Sequence, residues 1–460
     1  MNSLVNAIEN QLTETTNGMI AHVNTGTAAT DLFYKIGAMR GKNVIPNFTA
    51  AMVEDENLAV RIALWARDAR EGAGERQIYR DILLYLEKNR PDIAKKLIAK
   101  TPELGRWDDL LVFQTDELRN AAFAAISEAL NSGNGLAAKW MPRKGPIAES
   151  LRKYLKLSPK AYRKMLVGLT KVVEQQMCAR DWENINFNHV PSLASARYKK
   201  AFAKNSKIAY PEYLAKLASG EAKVNASAVY PYDVIKTALR GDRDQLQLIE
   251  SQWNSLPNYT NDLSILPIVD VSGSMTCKVA GQTTALEIAL SLGLYLSDKN
   301  RSVFKDCFVT FSEKPEILKV KGNIIQKLDQ MKNSDWAMST NLTAVFNKLL
   351  KMAVDNNVPQ NDMPAALLIL SDMQFNSSGI PETAYMMMDR KYAEAGYQRP
   401  LIVWWNLNDN DNVPVKFDTK GTAMVSGFSP AIMKSVLSNV NSMSSKGVML
   451  HTVMSDRYSW

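Results

Sequence analysis

At 460 residues the chain is longer than one hydrophobic core usually organises, so two or more domains are expected. Apolar residues at 46% and charged residues at 22% exclude a disordered or fibrous protein. The net charge of +8 is concentrated: residues 139–223 hold 18 Lys and Arg against 6 Asp and Glu, a local +12, which suits phosphates or acidic partners as well as a solvated helical face.

The opening stretch, MNSLVNAIENQLTETTNG, is polar and acidic where a secretion signal is basic and then apolar. No uncharged apolar run reaches the ~18 residues of a spanning helix. The expectation is a cytoplasmic protein with no membrane partner. Cys178, Cys277 and Cys307 lie far apart without a CxxC pair, which excludes a disulfide framework and a cysteine zinc site.

From the start to about residue 255, apolar residues recur at three- and four-residue spacing, as in LAVRIALWARDAR (58–70), RQIYRDILLYLEKN (76–89) and AYRKMLVGLTKVVEQQM (161–177). Short Gly-, Pro- or Asn-bearing turns separate them, so the spacing predicts helix hairpins stacked in a HEAT-like all-α domain over 1–255. The polar stretch WNSLPNYTN (253–261) reads as a linker to a second domain over 256–460. There, LSILPIVDV (263–271), KDCFVTFS (305–312), AALLILSD (365–372), LIVWWNLN (401–408) and GVMLHTVM (447–454) read as strands. Helical patterns at 284–298, 342–356 and 429–440 alternate with them, which predicts an α/β, doubly wound, Rossmann-like sheet covered on both faces. Ligands in such folds bind beyond the carboxyl ends of the strands.

Asp270-Val-Ser272-Gly-Ser274 stands at such an end. Alternate residues of an extended segment project the same way, so one carboxylate and two hydroxyls can converge. Ser339-Thr340-Asn341-Leu342 opens a later helix, and Ser371-Asp372 closes the most apolar strand. This is a hard-oxygen donor set, suited to Mg²⁺ or Mn²⁺. A phosphatase that uses a strand-ending Asp nucleophile needs a second carboxylate where Ser272 stands. The three motifs resemble, in order and spacing, the metal-ion-dependent adhesion site of von Willebrand factor A (vWA) domains. The resemblance implies Asp270, Ser272, Ser274, Thr340 and Asp372 as the metal site, with one position left for a partner's carboxylate or water.

His22, His189 and His451 form no HExxH, and GxGxxG, GxxxxGK[ST] and GxSxG are absent, so no enzyme class is indicated. Arg67, Arg70 and Arg76 crowd a glycine turn, read either as ion pairs bracing a hairpin or as anion contacts. Trp107 and Trp140 beside basic residues read as packing or as stacking platforms for RNA. Together RDAREGAGERQ, GRWDDLL, AAKWMPRKG and WENINFNHVPS resemble the TROVE (Ro ribonucleoprotein) superfamily, and most closely its relatives that join a helical domain to a vWA domain. That resemblance implies a non-enzymatic RNA-binding scaffold with a Mg-dependent partner-docking site. The basic segment nominates Lys139, Arg143, Lys144, Arg152, Lys153, Arg163 and Lys164 for RNA contact. The competing expectation is a protein-interaction adaptor or a structural assembly protein that uses the metal site without RNA.

Overall fold

A computed structural model describes residues 12–170, 172–222, 229–239, 246–260, 263–311, 315–334, 340–377, 383–408, 412–437 and 443–460. Its contacts divide the chain into an α/β unit, Met1–Ile62 with Val229–Arg457, and a helical unit, Ala63–Ala228 with Tyr458–Trp460. The contacts add to the α/β unit an N-terminal segment and two helices that precede the expected division at 255/256. A hairpin of β1 (Leu12–Glu14) and β2 (Ile20–His22) bonds to loops of the α/β unit, and the helix Ala28–Ile36 packs on its sheet. The helices Pro231–Leu239 and Leu246–Asn254 belong there too, with Trp253 donating its indole N–H to Asp298 at 2.9 Å. The polar stretch read as a linker is pinned to the same unit: Thr260 Oγ1 donates to the Lys299 carbonyl at 2.9 Å, and the Tyr295 hydroxyl donates to the Pro257 carbonyl.

The central sheet of this unit comprises β3 (Ile265–Val269), β6 (Cys307–Thr310), β7 (Ile317–Lys319), β8 (Ala366–Ser371), β9 (Leu401–Asn406) and β10 (Thr422–Ser426). A small ladder of β4 (Lys278–Ala280) and β5 (Thr283–Thr284) stands apart. The strand order is β10-β9-β8-β3-β6-β7, parallel except for β7, which runs antiparallel at the edge. The chain leaves β3 toward β6 and returns on its other side as β8. Winding thus reverses between β3 and β8, the place where open α/β sheets part to admit a ligand.

Both strands are buried along their whole length, which explains their unbroken apolar sequences. Leu266 and Ile268 of β3 and Leu367 and Ile369 of β8 join Val345, Phe346, Met387 and Tyr392 in one core. The helix Ala285–Lys299 packs against β3 and β8. It comes so close that a Cβ on Gly293 would lie 2.4 Å from Val269 Cγ2, so only glycine fits beside the end of β3.

The segment 447–454 is a helix, Ser445–Val453, and not the expected strand. Ser444 caps it by accepting from the Gly447 N–H, and Val448, Met449, Thr452 and Val453 are buried at helical spacing. A short apolar run cannot distinguish a buried strand from a buried helix. Two strands of this sheet that the sequence reading did not name, β7 and β10, take its two edges.

In the helical unit successive helices pack on one another, among them Arg76–Asn89, Pro91–Leu104 and Asp116–Asn131. The charged motifs meet inside it. Arg67 sets Nε and Nη2 each 2.7 Å from Asp109 Oδ2, Arg80 Nε reaches Oδ1 at 2.7 Å, and the Arg106 backbone N–H donates to Oδ2 at 3.0 Å. A Cβ on Gly105 would fall 2.6 Å from Arg67 Nε, which accounts for the glycine of GRWDDLL. Arg106 lies over the Trp140 ring at 3.2 Å from its centroid, so that indole already holds a cation of its own chain. Of the two readings of Arg67, ion pairing is the one the geometry shows. Asp109→Ala would strand a buried guanidinium, and denaturant unfolding is expected to show a loss of about 3–5 kcal/mol. A loss below about 1 kcal/mol would place the pair among ordinary surface bridges.

Candidate functional site

The ends of β3 and β8 carry Asp270-Val-Ser272-Gly-Ser274 and Ser371-Asp372 to the point where winding reverses. Asp270 follows β3 and is fully buried; its backbone N–H donates to the Leu370 carbonyl at 3.0 Å, which holds it beside the end of β8. The Ser272 N–H donates to Asp270 Oδ1 at 2.9 Å and the Ser371 hydroxyl donates to Oδ2. A 3₁₀ turn, Gly273–Thr276, then brings Ser274 Oγ to 3.1 Å from Ser272 Oγ. Ser274 in turn hydrogen-bonds Asp372, which is itself buried. Ser272 is buried and Ser274 exposed, so the donor group reaches the surface at Ser274.

Thr340 is buried and precedes the helix Leu342–Asp355, which Asn341 caps by accepting from the Ala344 N–H at 2.9 Å. Its carbonyl accepts from the Asn376 N–H at 3.1 Å, tying it to the loop after Asp372. Ser339, the first residue of that motif, lies outside the described residues.

Burial and then the charge of Asp372 push the Asp270 carboxyl up to about 6, against hydrogen bonds from Ser371 and Ser272 that favour its charged form. Burial also raises Asp372. Two adjoining buried carboxylates beside serine hydroxyls form a donor set that fits a hard divalent cation, whose charge offsets what burial costs them. Among the described residues no three His, Cys, Asp or Glu side chains gather as a metal cluster, so any ion here relies on hydroxyls and water for its remaining ligands.

Five of the seven nominated basic residues border two concavities of the helical unit. Lys139 borders a cavity of about 910 Å³ with Asn134, Gln176, Asn186, His189 and Val190. Arg143, Lys144, Arg152 and Arg163 surround a second, of about 710 Å³, with Glu149 the acidic residue on its rim. Its wall is fixed by Tyr162, whose hydroxyl donates to the Pro142 carbonyl at 3.0 Å, and by Arg152, which donates to the Leu157 carbonyl at 2.7 Å. Thr170, in the wall of the larger cavity, receives Arg143 Nη2 at 3.5 Å. Lys153 pairs with Glu149 at 3.0 Å, and Lys164 is exposed and borders neither cavity. Of WENINFNHVPS, Glu183 caps the helix Ala209–Ser219 by accepting from the N–H groups of Lys207 and Ala209, and Phe187 packs among Phe202, Tyr210 and Tyr213. Those two positions are structural.

Sequence reasoning named Ser371 in the strand-ending pair but not among the ligands, and it did not name Gln374; the hydroxyl of the first and the backbone N–H of the second bind Asp270 and Asp372. It also missed the β1–β2 hairpin. Only Ser371 had a local signal, since it adjoins Asp372 at a strand end.

The raised Asp270 carboxyl has a stability consequence of definite sign. The folded state holds this proton more tightly than the unfolded one, so the metal-free protein loses stability as pH rises from about 3.8 to about 6 and carries the whole penalty above that. In EDTA at pH 7.5, Asp270→Asn is expected to raise the unfolding free energy by about 1–3 kcal/mol, and the gain should narrow at pH 4.5. Chemical denaturation at the two pH values measures it; a loss of stability at pH 7.5 would contradict this account.

Residues 121–263 match a domain of unknown function (DUF2828), and residues 264–457 match another (DUF7788), so the two meet directly before β3. A solved structure, the RO (RSR) protein of Deinococcus radiodurans, aligns over 88% of this chain and 92% of its own at 14% identity with a TM-score of 0.46. Uncharacterized protein L728 of Acanthamoeba polyphaga mimivirus is 30% identical over 507 aligned residues, covering 96% of this chain and 87% of that protein. At that identity over nearly the whole of both chains, this chain belongs to the same family as L728.

Proposed function

We propose that this protein is a non-enzymatic binding scaffold, in which the α/β unit docks a partner through Mg²⁺ or Mn²⁺ and the helical unit holds RNA. The observation that carries the reading is the gathering of Asp270, Ser272, Ser274 and Asp372, from two neighbouring parallel strands, where the winding reverses. Ser272, Ser274 and Thr340 would offer hydroxyl oxygens, with Asp270 and Asp372 supplying the negative charge. When bound, the ion would supply a hard Lewis-acid position that a partner's Asp or Glu can occupy. The chain's own residues orient the hydroxyls, keep both carboxylates out of bulk water and leave Ser274 exposed toward a partner.

The RNA half rests on charge and shape. Arg143, Lys144, Arg152 and Arg163 ring one concavity against a single rim carboxylate, within the segment that carries +12. The three arginines, held by the Thr170 hydroxyl and the Leu157 and Pro159 carbonyls, lose little freedom when they meet a phosphate. The resemblance of the helical motifs to the TROVE superfamily supports the same partner class.

Calorimetry on the full chain is expected to show Mg²⁺ binding that Asp270→Ala and Ser272→Ala each abolish while the far-UV spectrum is unchanged. Equal affinity in both variants would sink the cation assignment. Filter binding of single-stranded RNA over several salt concentrations is expected to weaken in Arg143→Ala/Lys144→Ala, with the salt slope falling by about 1.4 if both touch phosphate. RNA affinity should be nearly unchanged in Asp270→Ala. No measurable RNA affinity in the wild type at low salt would leave a protein-interaction adaptor as the function.

A further inference from the structure

We infer that the N-terminal β1–β2 hairpin is a positioning element of the cation site, so that its docking and cation binding are coupled; the inference rests on the cation reading above. The link is the loop after β8. Together with Ser371 at the strand's end, its inner side touches three site residues: Ser371 donates to Asp270, the Gln374 N–H donates to Asp372 Oδ1 at 3.3 Å, and the Asn376 N–H donates to the Thr340 carbonyl at 3.1 Å. Its outer side is gripped by the hairpin turn. The Thr16 N–H donates to Gln374 Oε1 at 2.6 Å, Asn17 Nδ2 to the Gln374 carbonyl at 2.8 Å, and Thr15 Oγ1 to the Phe375 carbonyl at 2.6 Å. The Ser377 N–H donates back to the Asn17 carbonyl at 2.9 Å, and Gly18 bridges Asn376.

The hairpin turn is itself shaped for this grip. The Thr15 N–H donates to the Met19 carbonyl and the Gly18 N–H to the Thr15 carbonyl, both at 2.8 Å, while buried Met19 shares a core with Phe375. The loop also needs outside support. Met373 holds a left-handed conformation at φ 65°, with its N–H donated to Ser371 Oγ at 3.0 Å, a backbone state that surrounding contacts must maintain. Gln374 joins the two sides, since its N–H meets the Asp372 carboxylate while its carbonyl and side chain meet the hairpin. A docked hairpin fixes Asp372 and Thr340 before the ion arrives, so the ordering cost is met in advance. By linkage, the ion must tighten the hairpin by the same factor.

The test uses the full chain as wild type, Asn17→Ala, Thr15→Val and Asp270→Ala, read by Mg²⁺ calorimetry and by amide hydrogen exchange with and without Mg²⁺. Asn17 is exposed, so its variant is expected to keep the wild-type melting curve and bind Mg²⁺ about three- to tenfold more weakly, the effect of one lost hydrogen bond. Thr15→Val should weaken binding at least as much. Mg²⁺ should slow exchange at Thr16, Gly18 and Met19 in the wild type but not in Asp270→Ala, a response that a hairpin serving only as structural cover would not give. Wild-type affinity in both hairpin variants, with hairpin exchange indifferent to Mg²⁺, overturns the coupling and leaves the cation reading standing. Absence of Mg²⁺ binding by the wild type overturns both.

Discussion

The pairing of β3 with β8 forces the Asp270 carboxylate out of water and against Asp372, and the chemistry of the α/β unit follows from that placement. A buried carboxylate next to another is costly, and proteins retain such pairs where a proton, a metal or a ligand relieves the cost. The surroundings serve to hold the pair in place. Gly293 lets a helix close on Val269, Ser371 and Ser272 direct hydrogen bonds at Asp270, and the left-handed Met373 turns the chain so that Gln374 can meet Asp372.

Charge is handled differently in the helical unit. Arg67 and Arg80 both pair with the buried Asp109, and Arg106 is spent on Trp140 and Asp108. The four basic residues around the 710 Å³ concavity are of another kind, because Glu149 is outnumbered there and the rim is open to solvent. A basic-aromatic motif therefore says little until its partners are seen: GRWDDLL is an interior brace, while the residues after Trp140 line a surface.

How much of this was legible depended on the range of the interactions. β3 and β8 could be read because strands buried on both faces need unbroken apolar runs, and each run ends in its own carboxylate. Ser272 and Ser274 followed from the period-two geometry of the backbone. By contrast, β7 spans only three residues, β10 reads TAMVS with a hydroxyl residue at each end and no unbroken apolar run, and the helix Ser445–Val453 carries a run that fits strand or helix equally. The hairpin was illegible for a stronger reason. Thr16 and Asn17 meet Gln374 across more than 350 residues of sequence, and nothing local in TETTNG announces a partner. The grouping of the segment before Ile62 with the α/β unit was illegible for the same reason, because the helix Ala28–Ile36 packs on β10, far along the chain.

The central claim is that these oxygens hold a divalent cation at the sheet's reversal point. Crystals of the full chain grown with Mn²⁺ would test it most directly through anomalous scattering. The account predicts a strong peak among the Ser272, Ser274 and Thr340 hydroxyls, beside Asp270 and Asp372, and no such peak in Asp270→Ala crystals. A wild-type map without a peak there, at saturating Mn²⁺, would contradict it.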